Sequence, residues 1–344
     1  MIPESLIAVL TIAFVTGMTQ MRKRRVLIRK LNALEALGGI TNICSDKTGT
    51  LTQGQMALRK AWIPGPGVYT VSNSEDPSNP KQGEVKLSAT KSRAEMDSEK
   101  AERQKIFDTQ RSAAALTFKE PLEKTERDQH RHKSNNEPNK ADINQSPEMV
   151  PELEAFLHSA ALCNLATVRY NDQERRWQTT GDPTEVALQV FAHRFEKGKR
   201  VLEERGGWKQ ISEYPFDSTV KRMSVVYHSS YSKTIIFTKG AVEKIVHLCE
   251  HIGVGKSHQE ITDSYKDFIY EQMSLLADQG LRVLALAQKT WVGELNEKSN
   301  IPRSDIEKDL TFLGLVGLYD PPRMETEDAI RGTFTIFSYT QDIC

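Results

Sequence analysis

The order of apolar and polar positions divides this chain into an apolar start, a polar middle and a longer part of short alternating runs. The apolar run covers residues 2–21 and is followed directly by the basic cluster 22–25. A membrane-spanning helix needs about 20 apolar residues, and basic residues favour the cytoplasmic side. We therefore predict that residues 1–21 are the end of a transmembrane helix in contact with membrane lipid, and that the chain after residue 21 is cytoplasmic.

The next apolar positions predict an amphipathic helix over 22–37 and a short buried strand over 40–44. Residues 58–71 have the pattern of a strand interrupted by a Pro-Gly turn. From 72 to 150, Ser, Asn, Lys, Glu, Gln and Pro dominate. Such a segment cannot bury enough surface to offset its ordering entropy, so we predict that it is mostly a disordered insert.

After residue 150 the pattern predicts an α+β region with an antiparallel core, because strands follow one another without an intervening helix. The predicted helices cover 152–162, 183–195, 241–250 and 262–279, and the predicted strands cover 210–214, 223–227, 234–238, 282–288 and 311–318.

Composition excludes two classes of protein. Lysine plus arginine (46) equals aspartate plus glutamate (46), which argues against nucleic acid as a partner, since that needs a basic excess. The four cysteines are far apart and form no C-x-x-C pair, which indicates reduced thiols and not a disulfide framework or a zinc site.

The most specific chemical signal is the string DKTGTLT at residues 46–52. An acidic residue at the end of a buried strand, followed by a Thr/Gly loop, places a carboxylate where doubly wound sheets bind ligands. Gly49 lets the backbone turn closely around a phosphate, and a carboxylate held there can accept a γ-phosphoryl group. The alternative reading is an ordinary polar turn.

This string resembles the signature of P-type ATPases, in which the aspartate is phosphorylated during each transport cycle. The resemblance implies ATP and Mg²⁺ as cofactors, with Asp46, Lys47 and Thr48 as catalytic residues and with Asp46 and Thr48 forming part of a magnesium site. Related phosphatases carry a second carboxylate where this chain has Thr48. Strings at 2–10 and 38–56 are most similar to the fungal sodium/potassium-exporting branch, which implies a plasma-membrane enzyme that exports monovalent cations.

The same resemblance assigns ATP-binding residues farther along the chain. They comprise an adenine-contacting glutamate, a stacking aromatic residue and three cations, namely Glu185, Phe216, Lys221, Lys239 and Arg282. Asp182, Pro183 and Glu185 also fit a helix N-cap, first-turn proline and capping box, and both readings can hold together. The family often has an arginine soon after the phenylalanine, and this chain has the uncharged Ser218 at that place.

The resemblance also implies the fold class, which combines α/β and α+β parts. A doubly wound phosphorylation domain, incomplete here, would comprise 22–58 and 312–344 and would enclose an antiparallel-sheet nucleotide-binding domain at 59–311. Asp320 and Arg323 would belong to the hinge between the two domains.

Glu4 is the candidate ion ligand, because it follows Pro3 within the apolar run. A proline frees helix carbonyls, and an acidic residue in a membrane segment marks a functional site by default. In the resembled family the equivalent glutamate binds the transported cation. Alternatively, Glu4 lies in water at a ragged terminus.

Two other functions compete with this reading. His247, Glu250 and His251 have the H-x-x-E-H spacing of a zinc metallopeptidase, provided that both histidines lie on one helical face. The chain could also be a non-catalytic nucleotide-binding protein from a truncated gene.

The family continues with a T-G-D segment and a magnesium-binding G-D-G-x-N-D loop, and neither follows Arg323 in this sequence. We therefore expect the chain to bind nucleotide weakly and to form no stable aspartyl phosphate, because the charge at Asp46 would not be fully neutralised. Incubation with labelled ATP and magnesium tests this. Acid-stable, hydroxylamine-sensitive label on Asp46 would contradict it.

Overall fold

A computed structural model describes residues 4–30, 43–74, 76–92, 148–229, 233–293 and 301–336, together with Glu95, Ser98 and Leu295. The chain divides into two compact units. The smaller consists of Met1–Gly54 with Pro321–Cys344, and the larger is Gln55–Asp320.

The smaller unit begins with helix α1, Glu4–Lys23. Arg25, at φ 65°, ends it in the left-handed region, and the Val26 N–H donates to Met21 O at 3.0 Å. This backbone closure satisfies the last carbonyls of the helix. The predicted amphipathic helix over 22–37 is therefore wrong for residues 24–30, and its remainder lies outside the described residues.

Among the described residues, no helix combines the length and the apolarity that crossing a membrane requires.

The predicted buried strand before Asp46 is also not found where it can be checked. Ile43 and Cys44 are exposed and irregular, and 40–42 lie outside the described residues. In the described part of this unit the β-structure is one isolated bridge between Thr52 and Pro322. The doubly wound sheet is thus not confirmed. Helix α8, Thr326–Ile336, completes the unit.

The larger unit is mixed α/β, and its regular elements account for most of its described residues. Its strands are β1 Ala57–Ile63, β2 Gly67–Ser72, β3 Glu84–Ser88, β4 Thr167–Asn171, β5 Arg176–Thr180, β6 Lys209–Asp217, β7 Arg222–His228, β8 Thr234–Gly240, β9 Cys249–Ile252, β10 Gln259–Glu260, β11 Arg282–Trp291 and β12 Leu310–Tyr319. Its helices are α2 Pro151–Leu162, α3 Pro183–Arg194, α4 Lys199–Glu204, α5 Val242–Val246, α6 Asp263–Ala277 and α7 Arg303–Ile306.

The main sheet has the order β3-β2-β1-β12-β11-β8-β7-β6, and every neighbouring pair in that order is antiparallel. This confirms the predicted antiparallel core. Strand β12 pairs with β1 on one side and with β11 on the other. The sequence analysis places the second boundary of the inserted domain between 311 and 312, which falls inside this strand. Its pairing puts it inside the larger unit, which ends at Asp320.

The predicted disordered insert begins with ordered structure. Strand β3 pairs with β2 over Val68–Ser72, and the Arg194 guanidinium donates to Pro80 O at 3.2 Å and to Ser74 Oγ at 3.1 Å. These bonds hold residues that have little apolar surface of their own, so the prediction is wrong for 72–74 and 76–92. Apart from Glu95 and Ser98, residues 93–147 lie outside the described part of the chain.

The two faces of the main sheet bury separate cores. On the first face, helices α2 and α3 pack against the sheet around Phe156, Phe191 and Phe237. On the second face, α5 and α6 pack around Trp62 and Phe312. Because side chains alternate along a strand, Ile235 and Phe237 of β8 face the first core, and Lys239 continues the same row.

Gly314 lies where the central strands β1 and β12 approach each other closely. Its φ is 152°, and a Cβ there would lie 2.3 Å from Trp62 O. We expect Gly314→Ala to lower the free energy of unfolding by about 2 kcal/mol or more, because the backbone contact cannot relax. Gly255→Ala is the control, since φ is also positive but the nearest atom is 3.8 Å away. Equal losses in urea denaturation would contradict the packing argument.

Candidate functional site

The centre of the candidate site is an ion pair between Glu185 and Lys239. Lys239 Nζ lies 2.6 Å from Glu185 Oε1, and the two side chains are 9% and 13% exposed. The other carboxylate oxygen, Glu185 Oε2, accepts from the Leu165 N–H at 3.0 Å. A nearly buried charge needs a partner of this kind, so the pair is held together before any ligand arrives.

Glu185 is placed by the first turn of α3. Asp182 caps this helix through a bond from the Thr184 N–H to its Oδ1 at 2.8 Å, and Pro183 occupies the first position. The predicted capping box is wrong, because the bonds of the Glu185 carboxylate go to Lys239 and Leu165. Gly181 before the cap has φ 122°, and a Cβ there would lie 2.8 Å from Ala166.

Lys239 is placed by the middle strands of the sheet, opposite Met223 in β7 and Leu286 in β11. The charged end of the Lys239 side chain therefore lies among the apolar residues of the first face. The adjacent Cys163 thiol contacts Met223 O at 3.6 Å, and burial raises its pKa to about 12. Cys163 thus stays protonated and is not a nucleophile here.

Asn164 is a site residue that the sequence analysis missed. Its amide nitrogen donates to Glu185 O at 2.8 Å, its Oδ1 accepts from the Ala166 N–H at 2.8 Å, and its carbonyl accepts from Lys199 Nζ at 2.9 Å. It thereby ties the end of α2 to the start of α3. No spacing in the sequence signals this role, because its partners are mainly backbone groups.

Phe216 and Lys221 flank the turn between β6 and β7. The Phe216 side chain is 62% exposed. Lys221 has φ 53°, and its N–H donates to Asp217 O at 2.7 Å. Its carbonyl accepts from the Ala241 N–H at 3.0 Å, which joins this turn to the end of β8. Strands β6 and β8 are separated by β7. Since neighbouring strands lie about 4.8 Å apart, the backbones at Phe216 and Lys239 are about 10 Å apart.

Arg282 lies farther from this centre. It begins β11 and is exposed, whereas Lys239 is paired with Leu286, four residues along the same strand. The fold thus brings Glu185 and Lys239 into contact, places Phe216 and Lys221 on the neighbouring hairpin, and leaves Arg282 at the strand's start.

A cavity of about 590 Å³ also opens in the larger unit, lined in part by His158, Trp208 and Phe237. None of the predicted ATP-binding residues lines it. Burial lowers the pKa of His158 to about 4, so this ring is neutral near pH 7.

In the smaller unit, Asp46 precedes a single wide turn, Lys47–Leu51, and its side chain is exposed. Asp46 Oδ1 accepts from the Thr48 N–H at 3.3 Å, and Gly49 turns the backbone at φ 76°. Arg323 donates to Gly49 O at 2.6 Å and to Thr52 O at 3.1 Å. The carboxylate is therefore accessible at a loop that Arg323 braces.

Oxygen ligands, water and substrate phosphates are the usual ligands of Mg²⁺. Asp46 offers one exposed carboxylate and Thr48 offers a hydroxyl and a carbonyl, which fits part of such a coordination sphere. Within the described ranges, no cluster of three or more His, Cys, Asp or Glu side chains could hold a metal ion. Glu4 is the first residue of α1, and its side chain lies outside the described residues.

The zinc-peptidase alternative is contradicted by the backbone. Helix α5 ends at Val246, and His251 lies in strand β9. His247 and His251 therefore do not share a helical face, as the H-x-x-E-H motif requires. The His251 ring instead stacks on the ring of His258, with the two ring centroids 4.8 Å apart.

Comparison with known proteins adds one family match and three relatives. The family described as "P-type ATPase, cytoplasmic domain N" matches residues 152–325, just over half of the chain. Sodium/potassium exporting P-type ATPase cta3 of Schizosaccharomyces pombe is 38% identical over 330 residues, which cover 96% of this chain and 27% of that protein.

Two further relatives have similar coverage. Sodium/potassium exporting P-type ATPase 1 of Saccharomyces cerevisiae is 38% identical over 363 residues, covering 96% of this chain and 31% of its own length. Calcium-transporting ATPase 1 of Bacillus cereus is 31% identical over 331 residues, covering 96% and 27%. The chain spans less than a third of the length of these curated relatives.

The contribution of the Glu185–Lys239 ion pair to the stability of the fold can be tested by substitution. We expect Lys239→Met to lower the free energy of unfolding by about 3 kcal/mol, because it leaves the Glu185 carboxylate nearly buried and unpaired. The double variant Lys239→Met with Glu185→Gln should recover part of that loss in urea denaturation. Arg200→Ala, which breaks an exposed pair with Glu204, is the control and should cause no measurable change. Strictly additive losses in the double variant would contradict the pairing.

Proposed function

The chain belongs to the P-type ATPase family. From this premise we propose that its larger unit binds ATP, and that in the whole protein Asp46 accepts the terminal phosphoryl group, whereas this chain alone forms no stable aspartyl phosphate. The observation that carries the proposal is the nearly buried Glu185–Lys239 pair, with the exposed ring of Phe216 on the neighbouring hairpin.

The adenine base is the part of ATP that this arrangement suits. A flat aromatic base stacks on an exposed aromatic ring, and Phe216 exposes 62% of its surface. The amino group of adenine is a hydrogen-bond donor, and the Glu185 carboxylate can accept from it. The ion pair with Lys239 fixes that carboxylate in place, so its position as an acceptor does not depend on the ligand.

The phosphates carry the negative charge of ATP, and we assign them to the exposed cations Lys221 and Arg282. Lysine and arginine can neutralise phosphates in the absence of a glycine-rich loop. Ser218 supplies no charge at the position where the family often has an arginine.

For the whole protein we propose phosphoryl transfer to Asp46. One carboxylate oxygen attacks the γ-phosphorus, the bond to the β–γ bridging oxygen breaks, and ADP leaves with that oxygen. The Lys47 ammonium and the Thr48 hydroxyl and amide would stabilise the charge of the transferring group. Bound Mg²⁺, held in part by Asp46 and Thr48, would neutralise phosphate charge.

For the whole protein we propose export of a monovalent cation across a membrane, with Glu4 as a candidate ligand of that cation. This rests on the fungal relatives, whose names state sodium/potassium export. Asp320 is the last residue of the larger unit, which supports the proposed hinge at Asp320 and Arg323 between the two units.

Equilibrium binding of ATP to the full chain, measured by calorimetry, tests the nucleotide site. We expect Phe216→Ala to weaken ATP binding about tenfold, because base stacking on an aromatic ring is lost. The side chain is exposed, so the variant should fold normally.

Tyr170→Ala is the matched control, since Tyr170 is also an exposed aromatic residue (48%) but lies in β4, outside the proposed site. Its affinity for ATP should equal that of the unchanged chain. Absence of ATP binding by the unchanged chain, or equal effects of the two variants, would overturn the proposal.

A further inference from the structure

A buried charge cluster lies on the second face of the sheet, beneath the hairpin that carries Phe216. Its centre is Glu307, whose side chain is fully buried. One carboxylate oxygen accepts from Arg222 Nε, and the other accepts from Ser224 Oγ at 2.6 Å and from Arg303 Nε at 2.7 Å. Ser224 Oγ also lies 3.0 Å from Thr238 Oγ1.

The Arg303 guanidinium connects this cluster to the β6–β7 hairpin. Its Nη2 donates to Pro215 O at 3.0 Å and to Arg222 O at 2.8 Å. Pro215 directly precedes Phe216, and Arg222 directly follows Lys221. One nitrogen therefore holds the chain at both ends of the turn that carries the proposed base-stacking and phosphate-binding side chains.

A second set of contacts joins strand β6 to the segment around helix α7. Tyr214 Oη donates to Ile301 O at 2.9 Å, and Ile301 and Ile306 belong to a small apolar cluster with Val226 and Ile236. The segment around helix α7 is thus packed against β6, β7 and β8, on the face away from the Glu185–Lys239 pair.

The turn is irregular in geometry, although the Thr219 N–H donates to Asp217 Oδ1 at 2.7 Å within it. The pairing of β6 with β7 shifts register between Tyr214 and Asp217, and Lys221 lies in the left-handed region at φ 53°. Such a conformation persists when surrounding contacts over-determine it. The bonds from Arg303 to the carbonyls of Tyr214, Pro215 and Arg222 are contacts of that kind.

We propose that Arg303, oriented by Glu307, is a positioning residue that holds the 215–222 turn in the conformation that binds ATP. The inference rests on the proposed function, since it gives the turn a nucleotide to bind. Arg303 acts through Phe216 and Lys221, and its own guanidinium is occupied by protein oxygens on the opposite face of the sheet.

Two measurements on the full chain test the proposal, namely ATP affinity and amide hydrogen exchange of residues 215–222. We expect Arg303→Ala to weaken ATP binding about fivefold to tenfold and to speed exchange in the turn at least tenfold, because the bound carbonyls lose their donor. Arg303→Lys, which keeps the charge but cannot bridge Glu307 and the carbonyls, should give an intermediate affinity.

Lys289→Ala is the control for a purely structural role. Lys289 Nζ binds Lys308 O at 2.9 Å and Asp309 Oδ2 at 3.1 Å, so it anchors the same segment at its other end without touching the turn. We expect this variant to keep the ATP affinity of the unchanged chain. Equal weakening by Lys289→Ala and Arg303→Ala would overturn the positioning role.

A double-mutant cycle with Phe216→Ala separates positioning from general loosening. Because Arg303 acts through both Phe216 and Lys221, the double variant should bind ATP more weakly than Phe216→Ala, but by less than the sum of the two single losses. Additive losses would overturn the proposal.

The exchange measurement separates this inference from the proposed function. If the unchanged chain fails to bind ATP, the proposed function is overturned, and with it the nucleotide role of the turn. Unaltered exchange of 215–222 in Arg303→Ala would overturn the inference alone, even where ATP binds normally.

Discussion

The candidate site depends on a lysine that is held among apolar neighbours by one carboxylate. Lys239 is 8% exposed, and its ammonium lies 2.6 Å from Glu185. A charge this well buried is tolerated because its partner is equally fixed. The start of α3 fixes Glu185, Asn164 fixes the start of α3, and the register of β7, β8 and β11 fixes Lys239. Packing on the first face of the sheet thus sets the geometry of the polar site.

Because side chains alternate along β8, its residues contribute to different clusters on the two faces of the sheet. Ile235, Phe237 and Lys239 face the core that α2 and α3 cover, while Thr238 meets Ser224 above Glu307 on the other side. The hairpin that carries Phe216 is therefore held by the end of a neighbouring strand and by the second face of the sheet. The Ala241 N–H, at the end of β8, donates to the Lys221 carbonyl. Arg303, on the second face, donates to the carbonyls of Pro215 and Arg222 at the two ends of the turn. The turn is local in sequence, but its conformation is set by segments 20 to 88 residues away.

Much of the larger unit could be predicted from the sequence because its signals are local. Asp182 and Pro183 mark the start of α3, and the apolar run at 311–318 marks β12. Assignment of β12 to a domain could not be predicted, because a buried strand has the same pattern in either sheet. Strand β3 was missed since its order comes from β2 and Arg194, which are distant in sequence. Glu185 and Lys239 were identified as residues, but their direct contact, and the part played by Asn164, arise only when α2, α3 and β8 pack together.

Amide resonances of the ¹⁵N-labelled full chain, followed during titration with a non-hydrolysable ATP analogue, test the central claim most directly. The account predicts that the amides of Leu165, Lys239 and Lys221 shift together and saturate at one concentration, since the Leu165 amide binds the Glu185 carboxylate itself. Shifts confined to the separate cavity, at His158 and Trp208, with Leu165 and Lys239 unmoved, would contradict it.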